Sequence, residues 1–356
     1  MQIMESIVIG AGQAGLSTSF HLKRLGIEHI VLDSNSAPGG AWQHRWDALT
    51  MHDVHGVAEL PGSTAPARDA RRANAVVPAS FADYERTQEL PVIRPVHVDR
   101  VTDDDGLLVV HAGAQEWRTR TIVNATGTWT QPFLPHYAGM ETFVGEQLHT
   151  VDYPGPEHFR GKRVLVVGGG ASAVQFLGAL APITETLWAT RREPVWRDDD
   201  FTSEAGAAVV ALVEQRVAQG LPPQSVVSVT GLMLRPQERE AERLGAYADR
   251  RPMFDRIEPD GVRWADGSFE RVDVILWATG FRPAIGHLAP LHLRSDAGGI
   301  QLDRNGRGTT AMKDPRVQLV GYGPSASTIG ANRAGRTAAK GVQRALAALS
   351  ERVTSG

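Results

Sequence analysis

Apolar positions along this chain fall into short continuous runs separated by helix-spaced segments. Ile7, Val8 and Ile9 form one such run, as expected of a strand buried on both faces. Glycines follow, then Leu16, Phe20, Leu22 and Leu25 at helical spacing, then a second apolar run over residues 29–32. The same order returns at residues 164–167 and the segment after them. Residues 92–110 read as strand-rich, 272–276 and 317–320 as two more strands, and about 328–349 as a long helix. Alternation of this kind predicts an α/β fold with two Rossmann-like dinucleotide-binding domains, the second inserted into the first. The expected division is 1–156, 157–282 and 283–356.

The turns carry the chemistry. Gly10, Gly12 and Gly15 make G-x-G-x-x-G, and the run after the helix ends in Asp33. Gly10 permits a tight turn, Gly12 lets backbone approach a pyrophosphate, and Gly15 lets helix pack on strand. Gln13 and Ala14 open the helix, whose unpaired N–H groups suit phosphate. Asp33 can accept hydrogen bonds from a ribose diol. Glycine turns also join strands to helices for packing alone; here strand, turn, helix, strand and acid occur in order.

The second copy has Gly168, Gly170 and Ala173 as G-x-G-x-x-A, with Ala171 and Ser172 opening its helix. Laid on the first, 33 − 10 = 23 and 191 − 168 = 23, so Arg191, followed by Arg192, stands where the first copy has its acid. A carboxylate suits a free 2′-hydroxyl, and a guanidinium suits a 2′-phosphate. That pattern points to one nucleotide without the extra phosphate and to NADPH in the second seat. The plain alternative for the arginine pair is a solvated strand end. Asn124, Ala125, Thr126 and Gly127 follow one strand, and Trp277, Ala278, Thr279 and Gly280 another; both read as small-residue turns passing close to a cofactor.

Composition narrows the picture. A length of 356 residues suits two domains, and 42% hydrophobic with 22% charged residues is ordinary for a globular chain. A net charge of −3 gives no reason to expect nucleic acid. Arg68, Arg71 and Arg72 are flanked by acids and read as a solvated loop. There is no cysteine, which excludes dithiol redox chemistry and thiolate metal sites. No apolar run is long enough to span a membrane, and the N-terminus enters a strand at once, so the expected compartment is the cytoplasm. Residues 198–256 change character, with an acidic run at Asp198, Asp199 and Asp200. They suit a lid, a dimer surface or a peripheral helical insertion, and a homodimer stays open.

Phe143, Gly145, His149 and Tyr153 match F-x-G-x-x-x-H-x-x-x-Y, and with this motif the chain resembles the flavin-containing monooxygenases. Gly39, Gly40, Ala41 and Trp42 resemble the family's G-G-x-W element, and residues 278–281 its late ATG element. Tyrosine at 153 favours the flavin-containing branch over Baeyer–Villiger enzymes, which usually place tryptophan there. The resemblance implies FAD in the first domain and NADPH in the second. It implies transfer of one oxygen atom from O2, through a flavin hydroperoxide, to a small substrate such as a thioether or amine, with ketones open. It also implies that His149 couples NADP position to oxidation; a buried structural histidine is the alternative. His52 matches a position where many members have an asparagine near the flavin. Pro324, after Gly323, stands where related flavoproteins have an aspartate for the ribityl chain. Two rivals remain: an NADPH-dependent flavin reductase or oxidase without an organic acceptor, and a non-catalytic NADPH-binding redox sensor.

Overall fold

The computed structural model describes residues 2–54, 57–197, 203–223, 232–234, 236–304 and 308–354. The chain divides into two compact units: Met1–Thr128, Ala207–Val226 and Pro283–Gly356 form the first, and Trp129–Gly206 with Val227–Arg282 the second.

In the first unit, Ile3–Ile9 pairs in parallel with His29–Leu32 on one side and Gln115–Asn124 on the other. Val92–Ile93 extends one edge beyond His29–Leu32. The long strand Gln115–Asn124 changes partner along its length. Its end pairs in parallel with Val317–Leu319, and its start runs antiparallel to Leu107–Ala112, which continues to Arg100–Asp104. The result is one seven-stranded sheet. Strand period 2 sends Val8, Val31, Val123 and Val320 into one apolar cluster and Ile7, Ile9, Leu32, Ile122 and Leu319 into another. This two-sided burial explains why the strands read as unbroken apolar runs. Helices Gln13–Arg24, Ala73–Thr87 and Thr328–Thr354 supply the first cluster through Leu16, Leu22, Val77, Phe81, Ala338 and Val342. Gly335 lets the last helix lie close on the first, because a Cβ there would meet Ser17 Oγ at 2.5 Å and Thr18 N at 2.8 Å.

The second unit repeats the plan with five parallel strands. In sheet order they are Arg250–Arg251, Glu185–Ala189, Arg163–Val167, Val274–Trp277 and Glu146–His149. Leu165, Val167, Ile275 and Trp277 pack with Val262 from the small antiparallel sheet Arg256–Glu258, Gly261–Arg263 and Phe269–Arg271, and with Phe254 and Trp264 beside it. Both units are Rossmann-like.

Two expectations about organisation change. The first join lies at 128/129 and not 156/157, because Glu146–His149 is an edge strand of the second sheet. Helix Ser203–Ala218, expected within the second domain, belongs from Ala207 to the first, where Val217 is fully buried with Leu288 and Tyr322. The acidic residues 198–200 lie outside the described residues.

Candidate functional site

The two glycine turns are built by the same hydrogen bonds. Gly10 N donates to Leu32 O at 2.7 Å, and Gly168 N donates to Ala189 O at 3.0 Å. Ala125 N donates to Ile9 O and Ala278 N to Val167 O, both at 2.8 Å. Each first glycine has positive φ and backs onto the alanine of its ATG turn. A Cβ on Gly10 would meet Ala125 O at 2.7 Å, and one on Gly168 would meet Ala278 O at 2.2 Å. A Cβ on Gly15 would lie 1.8 Å from Gly10 O, so helix–strand contact demands glycine there. Ala173, at the matching position, is fully buried. Gly12 and Gly170 are different. Nothing lies within 4 Å of a Cβ built on either, so these turns are open. Both glycines N-cap their helices without a side-chain cap, and neither first turn carries an acid. Ala171 and Ser172 open the second helix, as Gln13 and Ala14 open the first. Donors at these two helix starts are left for an anion.

Hydrogen-bond register corrects the overlay drawn from residue spacing. Ile9 pairs with Leu32, and Val167 pairs with Ala189. Asp33 therefore matches Thr190, and each donates its backbone N–H to the next strand, to Ile93 O and Arg251 O respectively. The stretch from the first glycine to the strand end is one residue shorter in the second copy: 32 − 10 = 22 against 189 − 168 = 21. Arg191 is the following residue, and both Arg191 and Arg192 are exposed. Thr190 is buried and donates to Arg192 O at 2.7 Å, which ties down the loop that presents both guanidinium groups.

The charges around the two strand ends differ in kind. Asp33 is buried and is not a lone acceptor. Its Oδ2 accepts from Arg94 Nε at 3.0 Å and its Oδ1 from Asn35 Nδ2 at 3.1 Å. The rest of the Arg94 guanidinium makes a fork onto Glu85 at 2.7 and 2.6 Å. In the second unit Arg250 reaches Thr190 Oγ1 at 3.2 Å and Glu193 at 2.9 Å. Sequence reading missed Arg94, Glu85 and Arg250. For Arg250, the Arg250–Arg251 doublet in an apolar neighbourhood was the available signal; for the buried pair there was none.

The F-x-G-x-x-x-H-x-x-x-Y residues have local structural reasons. Gly145 is required by space, since a Cβ would meet Asp273 O at 2.4 Å and the buried Phe143 ring at 2.5 Å. Tyr153 stacks between Phe176, at 4.3 Å, and Phe159, at 5.5 Å. His149 is 2% exposed, with both ring nitrogens engaged. Nε2–H donates to Gly280 O at 3.0 Å, and Nδ1 accepts from Val151 N at 3.4 Å. Burial holds its pKa below the ordinary value, so this single neutral tautomer persists near neutrality. His149 is thus satisfied at both ring nitrogens and grips the ATG turn at Gly280.

Gly40 has φ +51°, and a Cβ on it would come to 3.0 Å from Gly12 Cα, so the GGAW segment lies against the first glycine turn. Ala41 and Trp42 follow half-buried, with the Arg45 guanidinium 5.7 Å from the Trp42 ring centre. Thr126 and Thr279 brace the two ATG turns by donating to Ala284 O and Phe133 O. Gly127 and Gly280 have positive φ. His52 is exposed, its backbone N–H donated to Asp69 O. Pro324 lies in a single turn, Gly323–Ser325, just before the last helix.

Behind the first ATG turn, His287 Nε2 lies 2.7 Å from the Oδ1 of buried Asn124. Burial, with a smaller effect of His97, depresses the His287 pKa from 6.5 to about 4. Between those values the unfolded chain takes up a proton that the folded chain refuses, so folding stability should fall as pH drops from 6.5 to about 4. Chemical denaturation across this range should show a shallower decline in His287→Asn. An unchanged slope would assign the acid limb to other groups.

Among the described residues no group of three or more His, Asp or Glu could hold a metal, and no helix is long and apolar enough to cross a membrane. A family model described as pyridine nucleotide-disulphide oxidoreductase matches residues 7–230. A solved flavin-containing monooxygenase from Stenotrophomonas maltophilia is 36% identical, covers 97% of this chain and 99% of its own, and superposes with a TM-score of 0.83. This chain belongs to the flavin-containing monooxygenases. Like that relative, the monooxygenase is an oxidoreductase, and its lack of cysteine removes the dithiol in the broader model's description. Among curated relatives, the uncharacterized oxidoreductase CzcO of Bacillus velezensis is 28% identical over 54% of this chain and 56% of its own length. The indole-3-pyruvate monooxygenase YUCCA1 of Oryza sativa subsp. japonica is 26% identical over 78% of this chain and 76% of its own.

Proposed function

We propose that the first unit holds FAD, the second holds NADPH, and that the enzyme places one oxygen atom from O2 on a small substrate with a soft heteroatom, a thioether or an amine. One observation carries the assignment: two open, uncapped glycine turns of the same construction end beside a buried carboxylate in one unit and exposed guanidinium groups in the other. The residues fit the two cofactors. Gly12, with the helix start at Gln13 and Ala14, offers N–H donors to the FAD pyrophosphate, and Gly170 with Ala171 and Ser172 does the same for NADPH. Gln13 Oε1 is buried without a partner among the described residues, an acceptor suited to a cofactor hydroxyl. Asp33, steadied by Arg94, accepts from the FAD ribose. Arg191 and Arg192 meet the 2′-phosphate of NADPH.

FAD and NADPH, when bound, supply the electron transfer and oxygen activation. The chain's own work is seating, orientation and exclusion of water. Ala125 and Ala278 fix the backs of the two glycine turns, and His149 holds Gly280 by a donated hydrogen bond. With His149 neutral and both nitrogens spent, its role is positioning and not proton transfer.

NADPH-dependent O2 uptake, measured against a panel of thioethers, amines and ketones with peroxide release as control, tests the proposal. Uptake should rise with acceptor while peroxide falls, and product should carry one atom of isotopically heavy oxygen supplied as O2. Peroxide production indifferent to every acceptor would favour a flavin reductase or oxidase. Protein that is colourless as purified and inert with NADPH would favour a redox sensor.

A further inference from the structure

The last helix of the first unit, Thr328–Thr354, hides Ala331, Ala334, Ala338, Ala339, Val342 and Ala345 in the core. Its other face carries Arg333, Arg336, Lys340 and Arg344, spaced by 3, 4 and 4 residues, all exposed. That spacing keeps the four cations on one stripe. Arg304, held at φ +53°, comes from a separate loop to the same place. Together Arg304, Arg336, Thr337, Lys340 and Arg344 line a hollow of about 170 Å³ that is open to solvent. Among the described residues none of these four cations forms an ion pair. Further positive charge comes from the first helix, where Arg24 and Arg336 both act on His21 and, after burial, hold its pKa down.

A chain of net charge −3 with many paired arginines has no electrostatic reason to gather four unpaired cations around one hollow. Like charges at that spacing repel modestly, and an anion among them turns the repulsion into attraction. A volume of about 170 Å³ is the scale of a phosphoryl group and below the roughly 300 Å³ at which small-molecule pockets begin. Arginine forks and a lysine are the side chains that hold such oxyanions. The place is also separate from the proposed FAD seat. His21 lies toward the far end of helix Gln13–Arg24, roughly 12 Å along its axis from the Gly12 turn.

We infer that this hollow is a further anion site of the monooxygenase, apart from the two cofactor seats, taking a phosphate or pyrophosphate group, either free or as the terminus of a larger metabolite. It stands independently of which oxygen acceptor the enzyme uses.

Equilibrium dialysis of the FAD-loaded protein tests the site with radiolabelled orthophosphate and pyrophosphate. Saturating NADP is present to fill the Arg191 seat, and ionic strength is matched with chloride. One equivalent of either anion should bind per chain. Arg336→Gln with Lys340→Gln should weaken binding at least about tenfold, the scale of a lost charged hydrogen bond. These positions are exposed, so flavin content and helical circular dichroism should be unchanged; Arg344→Gln alone gives a second reading in the same direction. Orthophosphate binding as tightly as pyrophosphate identifies a single phosphoryl group as the ligand, and preference for pyrophosphate identifies the diphosphate terminus. Absence of binding under these conditions, or binding that both variants retain in full, overturns the inference.

Discussion

Arg191→Ala should raise the KM for NADPH roughly 10- to 100-fold, the worth of a charged hydrogen bond to phosphate, and leave NADH use nearly unchanged. Arg191 sits one residue beyond Thr190, the position in the second copy equivalent to Asp33 in the first, and its side chain is exposed. Because no protein carboxylate claims it among the described ion pairs, its loss leaves no buried charge stranded, and the protein should fold normally. Arg250 behaves differently. It is held by Thr190 Oγ1 and Glu193, so Arg250→Ala should loosen the loop and affect both coenzymes. Steady-state kinetics with NADPH and NADH separate the cases. Equal losses with both coenzymes in Arg191→Ala would move 2′-phosphate recognition elsewhere.

The second large effect is expected at Arg94. With side chains only 11%, 5% and 10% exposed, Arg94, Asp33 and Glu85 share little solvent, and one guanidinium serves two carboxylates. Arg94→Met fills the space but strands both acids, which costs about 3–5 kcal/mol by comparison with other broken buried pairs. For a chain of 356 residues that is roughly 4–7 °C in Tm. Affinity of the apoprotein for FAD should fall as well, since Asp33 loses the partner that orients it. Glu85→Gln should be milder, because Arg94 still meets Asp33. Arg94→Lys keeps the charge but cannot make the fork, and should fall between. Thermal unfolding of the apoprotein and fluorescence titration with FAD measure the two effects separately. An apoprotein of Arg94→Met that melts with the parent would remove the buried triad from the account.

The acid-pH and acceptor-panel experiments bear on different levels. His287 reports on the stability of the first unit, whereas oxygen uptake reports on the assembled chemistry. A protein could pass one and fail the other.

The amino-acid sequence by itself determined the elements and their repetition. Unbroken apolar runs at residues 7–9 and 164–167, glycines where Cβ atoms would strike carbonyl oxygens, and the motif from Phe143 to Tyr153 are local features. A strand buried on both faces and a turn without room for a side chain leave their mark within a few residues. Tertiary structure alone decided what reaches across the chain. Arg94 meets Asp33 over a separation of 61 residues, and no spacing rule anticipates such a pair. Strand register, and not residue count, made Thr190 the equivalent of Asp33, because the stretch from glycine turn to strand end is one residue shorter in the second copy. Packing of Val217 goes with the assignment of Ala207–Ala218 to the first unit, although that stretch lies within the sequence of the second. Local sterics are written residue by residue, whereas ion pairs, register and the ownership of a helix depend on which distant surfaces are brought together in the folded chain.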